Sequence, residues 1–279
     1  MPPSTAIAPE ELQSASFAGI YETPIRLDGG RFIGDTFTTD GVSRPQVQLV
    51  PELQLHGDLN DDNLAEALVL LVVSSGGSGT RIYLALMGYR GGQLTNLDTL
   101  LLGDRVQIRE LTANGRSITA ELIEHGPGDA ACCPQAVVRH EWRLINERLV
   151  HHSKAELGTL SLSLLDGVTW HLASLSTNEK NISNKTISLQ VHELQLSGFG
   201  GCNRYRASAT ETGAGTLSVG PVAATRMTCG EPRDATESRY LEALQSVRRL
   251  SFVFGKLALT YRGEQEVDQL LFRAHKGYE

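Results

Sequence analysis

Short apolar runs separated by Gly-, Asn- and Asp-rich turns recur along the chain, and one segment carries a helical period. Val47-Gln48-Leu49-Val50 alternates, as a strand with one buried face does. Ala67 to Val73 is continuously apolar and ends β-branched, which predicts a central strand, with a short buried helix as the alternative. Ser74 to Gly79 reads as a flexible turn, and Arg81 to Leu86 as the returning strand. Leu100-Leu101-Leu102, Arg105 to Ile108 and Ser117 to Ile123 supply further strands. Two hairpins are predicted: Ile25–Leu27 with Arg31–Ile33 across Asp28-Gly29-Gly30, and Arg139–Leu144 with Arg148–His151 across Asn146-Glu147. This spacing predicts an antiparallel meander or open barrel over residues 16–152, after a disordered lead-in at 1–15.

A linker is expected at 153–163, and a fresh strand pattern begins at Leu165-Asp166-Gly167-Val168-Thr169-Trp170-His171-Leu172. Ser176 to Lys185 is polar and reads as a loop; its N-x-S/T triplets at Asn181 and Asn184 are frequent by chance and carry no weight. The helical period spans about 234–248. Asp234 is the expected N-cap, Glu237 its capping-box partner, and Pro232 precedes them. Tyr240, Leu241, Leu244 and Val247 form the expected apolar face. A hairpin follows, Ser251–Phe254 with Leu257–Tyr261 across Gly255-Lys256, then a last strand at Leu270-Leu271-Phe272 and a tail at 275–279. The fold class is therefore mainly β, in two β-rich domains, the second (164–274) being α+β with one helix.

Composition agrees: 28 glycines and 6% aromatic residues suit many short strands and tight turns. The formal charge of −7, with no basic stripe, argues against nucleic acid as a partner and against attraction to anionic membranes. The longest apolar run, near Ala65 to Val73, is too short for a transmembrane helix. Met1-Pro2-Pro3-Ser4-Thr5-Ala6 leaves two readings open: the remainder after a targeting segment is removed, or a ragged start to a cytoplasmic protein.

Gly198-Phe199-Gly200-Gly201-Cys202-Asn203-Arg204-Tyr205 is followed by Ala224-Thr225-Arg226-Met227-Thr228-Cys229, just before the helix. These residues resemble the META (HslJ-like) domain, whose pattern is a Gly-rich turn into G-C-N-x-Y and then a T-x-M-x-C element. Leu165 to Leu172 matches that family's first strand, and Leu217 to Gly220 the strand between the two motifs; the resemblance covers roughly 164–274. It implies a compact β-rich domain with one helix, found in bacterial envelope or secreted proteins and often linked to stress. It supplies no catalytic residues. Gly201, Asn203, Arg204, Tyr205, Thr225 and Met227 are motif positions whose expected role is turn-building and hydrogen bonding. Leu102 to Val106 and Gly128 to Pro134 resemble modules of bacterial lipoproteins of unknown function.

The paired motifs and the envelope compartment that the resemblance implies favour a Cys202–Cys229 disulfide, the alternative being two buried thiols. Such a bond would contribute about 3–4 kcal/mol on the loop-entropy estimate. The adjacent Cys132 and Cys133 are either bonded to each other or reduced, and cross-domain pairing stays open. Zinc is not expected, because neither C-x-x-C nor a Cys/His pair at ligand spacing occurs.

Asp58, Asn60, Asp62 and Glu66 place oxygens at spacings that resemble a Ca²⁺ loop, although Asn63 stands at the usual glycine position and Val69 at the position of the bidentate Glu. A short Ca²⁺ loop and a solvated acidic turn are the two readings, and no other cofactor is expected. Catalytic templates fail: His192-Glu193 lacks the second His of H-E-x-x-H, and Gly76 to Thr80 fits neither a P-loop nor G-x-S-x-G. His125, His140, His151 and His152 lie in one region. The resulting expectation is a non-catalytic envelope or secreted protein that binds a small ligand or an envelope partner, periplasmic or secreted, with a lipid-anchored precursor compatible. The competing readings are a hydrolase with its site between the domains, and a secreted inhibitor or partner-binding module.

Overall fold

The computed structural model describes residues 7–36, 43–76, 79–177, 187–263 and 267–275. The Asn181 and Asn184 triplets, residues 1–6 of the lead-in and all but the first residue of the tail lie outside these. The chain divides into two compact units, 1–157 and 158–279.

In the first unit, α1 (Pro9–Gln13), β1 (Ser16–Phe17) and β2 (Ile25–Arg26) precede two antiparallel meanders. One is five-stranded: β3 (Arg31–Ile33), β4 (Gln46–Gly57), β5 (Glu66–Ser74), β6 (Thr80–Arg90) and β7 (Gln93–Asp104). The other is four-stranded: β8 (Gln107–Asn114), β9 (Ser117–Glu124), β10 (Ala136–Ile145) and β11 (Arg148–Thr159). The apolar run is the central strand β5, buried on both faces. Ala67, Val69, Leu71 and Val73 point to one side, and Leu68 and Leu70 to the other.

Residues 7–15, expected to be disordered, are folded. Ile7 and Leu12 pack with Phe17, Ile25 and Leu27 over the Ala67–Val73 face of the sheet. An apolar sheet face has to be covered, and this segment covers it. The same demand redirects the expected Ile25–Ile33 hairpin. β2 pairs with β1 and β3 with β4, leaving only the Asp28–Arg31 bridge across the turn. The Asn146-Glu147 turn forms as expected, both residues adopting positive φ. The expected linker at 153–163 is instead the end of β11 and the start of a 3-10 turn at Leu162–Leu165.

The second unit contains β12 (Trp170–Ser174), β13 (Ser188–His192), β14 (Gln195–Phe199), β15 (Arg204–Gly213), β16 (Thr216–Val219), β17 (Ala223–Ala224), α2 (Arg233–Gln245), β18 (Val247–Val253), β19 (Lys256–Arg262) and β20 (Val267–Ala274). Eight of its strands close a barrel, because β14 pairs with both β13 and β15; β17 is added outside the ring on β15. Helix α2 packs with Tyr240, Ala243 and Leu244 buried, and its Tyr240 ring meets Tyr205 and Phe272. It ends at Gln245, earlier than expected, and Val247 opens β18. The next turn also falls a residue early, on Phe254 and Gly255, both with positive φ.

Candidate functional site

The G-C-N-x-Y and T-x-M-x-C segments meet beneath α2. β14 leads into Gly200-Gly201, and the chain returns through Cys202 and Asn203 into β15. Two glycines are required by close approach: a Cβ on Gly198 would lie 2.0 Å from the Ser188 carbonyl oxygen, and one on Gly200 would lie 2.6 Å from Glu237 Oε1. Glu237 enters that space from α2. Its Oε1 accepts the Cys202 and Asn203 N–H groups at 3.1 and 2.6 Å, and Oε2 accepts Asn203 Nδ2 at 2.6 Å.

Asn203 links this carboxylate to the second motif. Its Oδ1 accepts from Thr225 Oγ1 at 2.8 Å and from the Met227 N–H at 2.7 Å, while Nδ2 also donates to the Met227 carbonyl at 3.0 Å. Both amide donors and both lone pairs are thereby used. The Cys202–Cys229 disulfide closes the same junction, with the Cα atoms 5.8 Å apart. On the helix side, Asp234 accepts the Cys229 and Gly230 N–H groups at 3.0 and 3.1 Å.

Glu237 therefore is not a capping-box partner, and Asp234 is not the N-cap; Pro232 occupies that position. The reason is positional: Glu237 lies on the same helix face as Tyr240 and Leu244, which turns it inward. An acid in line with an apolar stripe was the available sequence signal. Tyr240, expected only as core, is a second unforeseen partner. Its hydroxyl lies 2.6 Å from that of Tyr205, which donates to the Ser188 carbonyl at 2.9 Å. Burial pushes both phenols well above their ordinary pKa, so they stay protonated.

Of the motif residues, Asn203, Thr225 and the Met227 backbone converge, Gly201 supplies a turn with positive φ, and Tyr205 is buried. Arg204 and the Met227 side chain face outward. Chemically the junction holds chain segments together: its carboxylate, amide and phenols all have protein partners.

In the Asp58–Glu66 loop, for which a short Ca²⁺ loop and a solvated acidic turn are the two readings, the acidic side chains accept hydrogen bonds from the loop's own backbone. Asp58 accepts the Asp62 and Asn63 N–H groups, and Asp62 accepts that of Leu64. Asn60 Nδ2 points at Asp62 and Glu66, at 3.0 and 3.1 Å, presenting a donor where a cation needs oxygen. Glu66 is buried, which raises its pKa, and it accepts the Leu59 N–H at 2.9 Å. Asp61 and Asn63 take the positive φ that the turn needs. Among the described residues, the one group of at least three His, Cys, Asp or Glu side chains close enough to share a metal is Cys202, Cys229 and Asp234, and there the sulfurs are bonded to each other.

Cys132 and Cys133 are bonded, in a loop where Asp129 accepts the Gly126 and Gln135 N–H groups, each at 2.9 Å. Of the four histidines, His140 and His151 meet around Trp142, with His140 stacked on the indole and 3.0 Å from Glu124. His125 and His152 are exposed apart from this ring cluster.

Residues 163–275 match the family model described as META domain. A solved structure titled "NMR structure of the protein from Burkholderia xenovorans" is 28% identical, over 41% of this chain and 86% of that one, with a TM-score of 0.33. Among curated proteins none matches the chain.

Proposed function

We propose, from the premise that residues 163–275 are a META domain, that this is a non-catalytic protein of the bacterial envelope or the secreted fraction, acting by binding or structural interaction. The observation that carries this reading is the closed hydrogen-bond account of Asn203 and Glu237. The motif residues are spent on one another and on the backbone, with no group left to give or take a substrate proton. Disulfides in both units support an oxidising compartment. Among the described residues no helix is long and apolar enough to cross a membrane.

Fractionation of the native host with mass-spectrometric disulfide mapping tests the compartment. Cys202–Cys229 should be recovered bonded from the periplasmic or secreted fraction; free thiols in a cytoplasmic fraction would overturn the assignment. Chromogenic ester, phosphate and glycoside substrates test the absence of catalysis. Turnover that disappears in a His140→Ala or Glu237→Gln variant that still folds would establish an enzyme.

A further inference from the structure

Strand alternation places Arg204 and Arg206 on the outer face of the barrel, with Tyr205 buried between them. Arg206 stands opposite Ser197 on β14 and opposite Ala223 on β17. Together with Gln190 and Thr225 these residues line a cavity of about 480 Å³ that has no carboxylate in its wall. Among the described residues no hydrogen bond or ion pair engages either guanidinium.

Several other arginines of the chain have an acid partner. Arg139 is held by Glu121, Arg116 by Asp61 and Arg148 by Asp98. With a net charge of −7 there is no shortage of acids, yet among the described residues none lines the groove that holds these two cations. Arg204 also occupies the unspecified position of G-C-N-x-Y, so the scaffold does not require it there. The backbone beneath is rigidly held: Asn203 uses all its amide hydrogen-bonding capacity, and Tyr205 is tied to Ser188 and Tyr240. Two guanidinium forks on a pre-organised strand suit an oxyanion bridging them, with Ser197 offering a hydroxyl donor. Two cations match the charge of a phosphate dianion better than that of a monocarboxylate.

We propose that this groove binds a phosphate-type anion through Arg204 and Arg206. The proposal deepens the binding role proposed above and rests on it, naming the ligand chemistry; the phosphate is carried either by a small soluble molecule or by a lipid headgroup.

The test is titration of the full chain with inorganic phosphate at constant ionic strength, followed by amide and arginine side-chain NMR shifts. Saturable shifts should map to Ser197, Arg204, Arg206, Ala223 and Thr225. The Arg204→Gln/Arg206→Gln variant should bind about tenfold more weakly or worse at an unchanged melting temperature. Arg273→Gln, an exposed arginine elsewhere on the barrel, should bind as the parent does. Co-sedimentation with phosphatidylglycerol/phosphatidylcholine vesicles, against phosphatidylcholine alone, separates the two sources. Arginine-dependent binding to phosphate assigns a soluble ligand, and arginine-dependent binding to the anionic vesicles alone assigns a headgroup. Absence of both, shifts scattered without saturation, or equal binding by the double variant would overturn the site. Those results would leave the non-catalytic envelope assignment intact, because disulfide mapping and turnover decide that separately.

Discussion

Asn203 Nδ2 donates to Glu237 Oε2 at 2.6 Å, joining residues 34 apart in the chain, one in the G-C-N turn and the other on the inward face of α2. Through this contact the helix is fastened to both motif segments, since the Asn203 amide also grips the Met227 backbone. Asn203 and Glu237 are among the few polar residues that are buried, and each is satisfied by the other.

Glu237→Ala should destabilise the protein by about 3 kcal/mol, because the Cys202 and Asn203 N–H groups would be left without an acceptor in a buried site. Glu237→Gln should cost less but still measurably, its amide nitrogen facing donors on at least one side. Denaturant titration of both variants checks this. A cost below about 0.5 kcal/mol for the alanine variant, the ordinary effect of a surface change, would show that water replaces the carboxylate freely.

The two disulfides should differ sharply in worth. Cys202 and Cys229 are 27 residues apart, so loss of their bond should cost about 3.5 kcal/mol on the loop-entropy estimate. Cys132 and Cys133 are adjacent and close no chain loop, so the entropic contribution nearly vanishes. Melting curves of Cys202→Ser/Cys229→Ser and Cys132→Ser/Cys133→Ser variants measure the two separately, and equal losses would contradict the account.

Glu121 is nearly buried, between Arg109 and Arg139. Burial alone would raise its pKa, but the hydrogen bonds and positive charges of Arg139 and Arg109 outweigh it and hold the carboxyl below the usual range. A depressed folded-state pKa stabilises the native state above the unfolded value, about 4.3 for Glu, and that stability is lost as pH falls through the folded value. Glu121→Gln should therefore cost about 1–3 kcal/mol at neutral pH, with the gap to the parent shrinking below about pH 4. Urea titrations across pH read this directly; a pH-independent gap would remove the ionic explanation.

Leu12→Ala should destabilise the N-terminal unit by about 2–5 kcal/mol, the range for emptying a fully buried leucine site. Hydrogen exchange should show the loss spreading into β5, whose Val69–Val73 face the segment covers. A protein indifferent to the change would mean that residues 7–15 are not needed to close that core.

Legible in the sequence alone were the strand-rich character of both units, the apolar run at Ala67–Val73, the Asn146-Glu147 turn, the helix after Cys229 and the motif pair by which 164–274 resemble the META domain. These are legible because strand period, turn chemistry and motif spacing act over a few residues and leave local marks. Tertiary structure alone decided that β14 also pairs with β15 to close the barrel, that residues 7–27 cover a sheet face, and that Glu237 leaves the helix terminus for Asn203. It also decided that Asp58, Asn60 and Asp62 serve their own turn, and that Arg204 and Arg206 share an outer groove without an acid. Each depends on which distant segments come to lie side by side. A carboxylate placed four residues from Leu241 on a helix reads the same in sequence whether it caps the helix or enters a core, and only the packed neighbours distinguish the two.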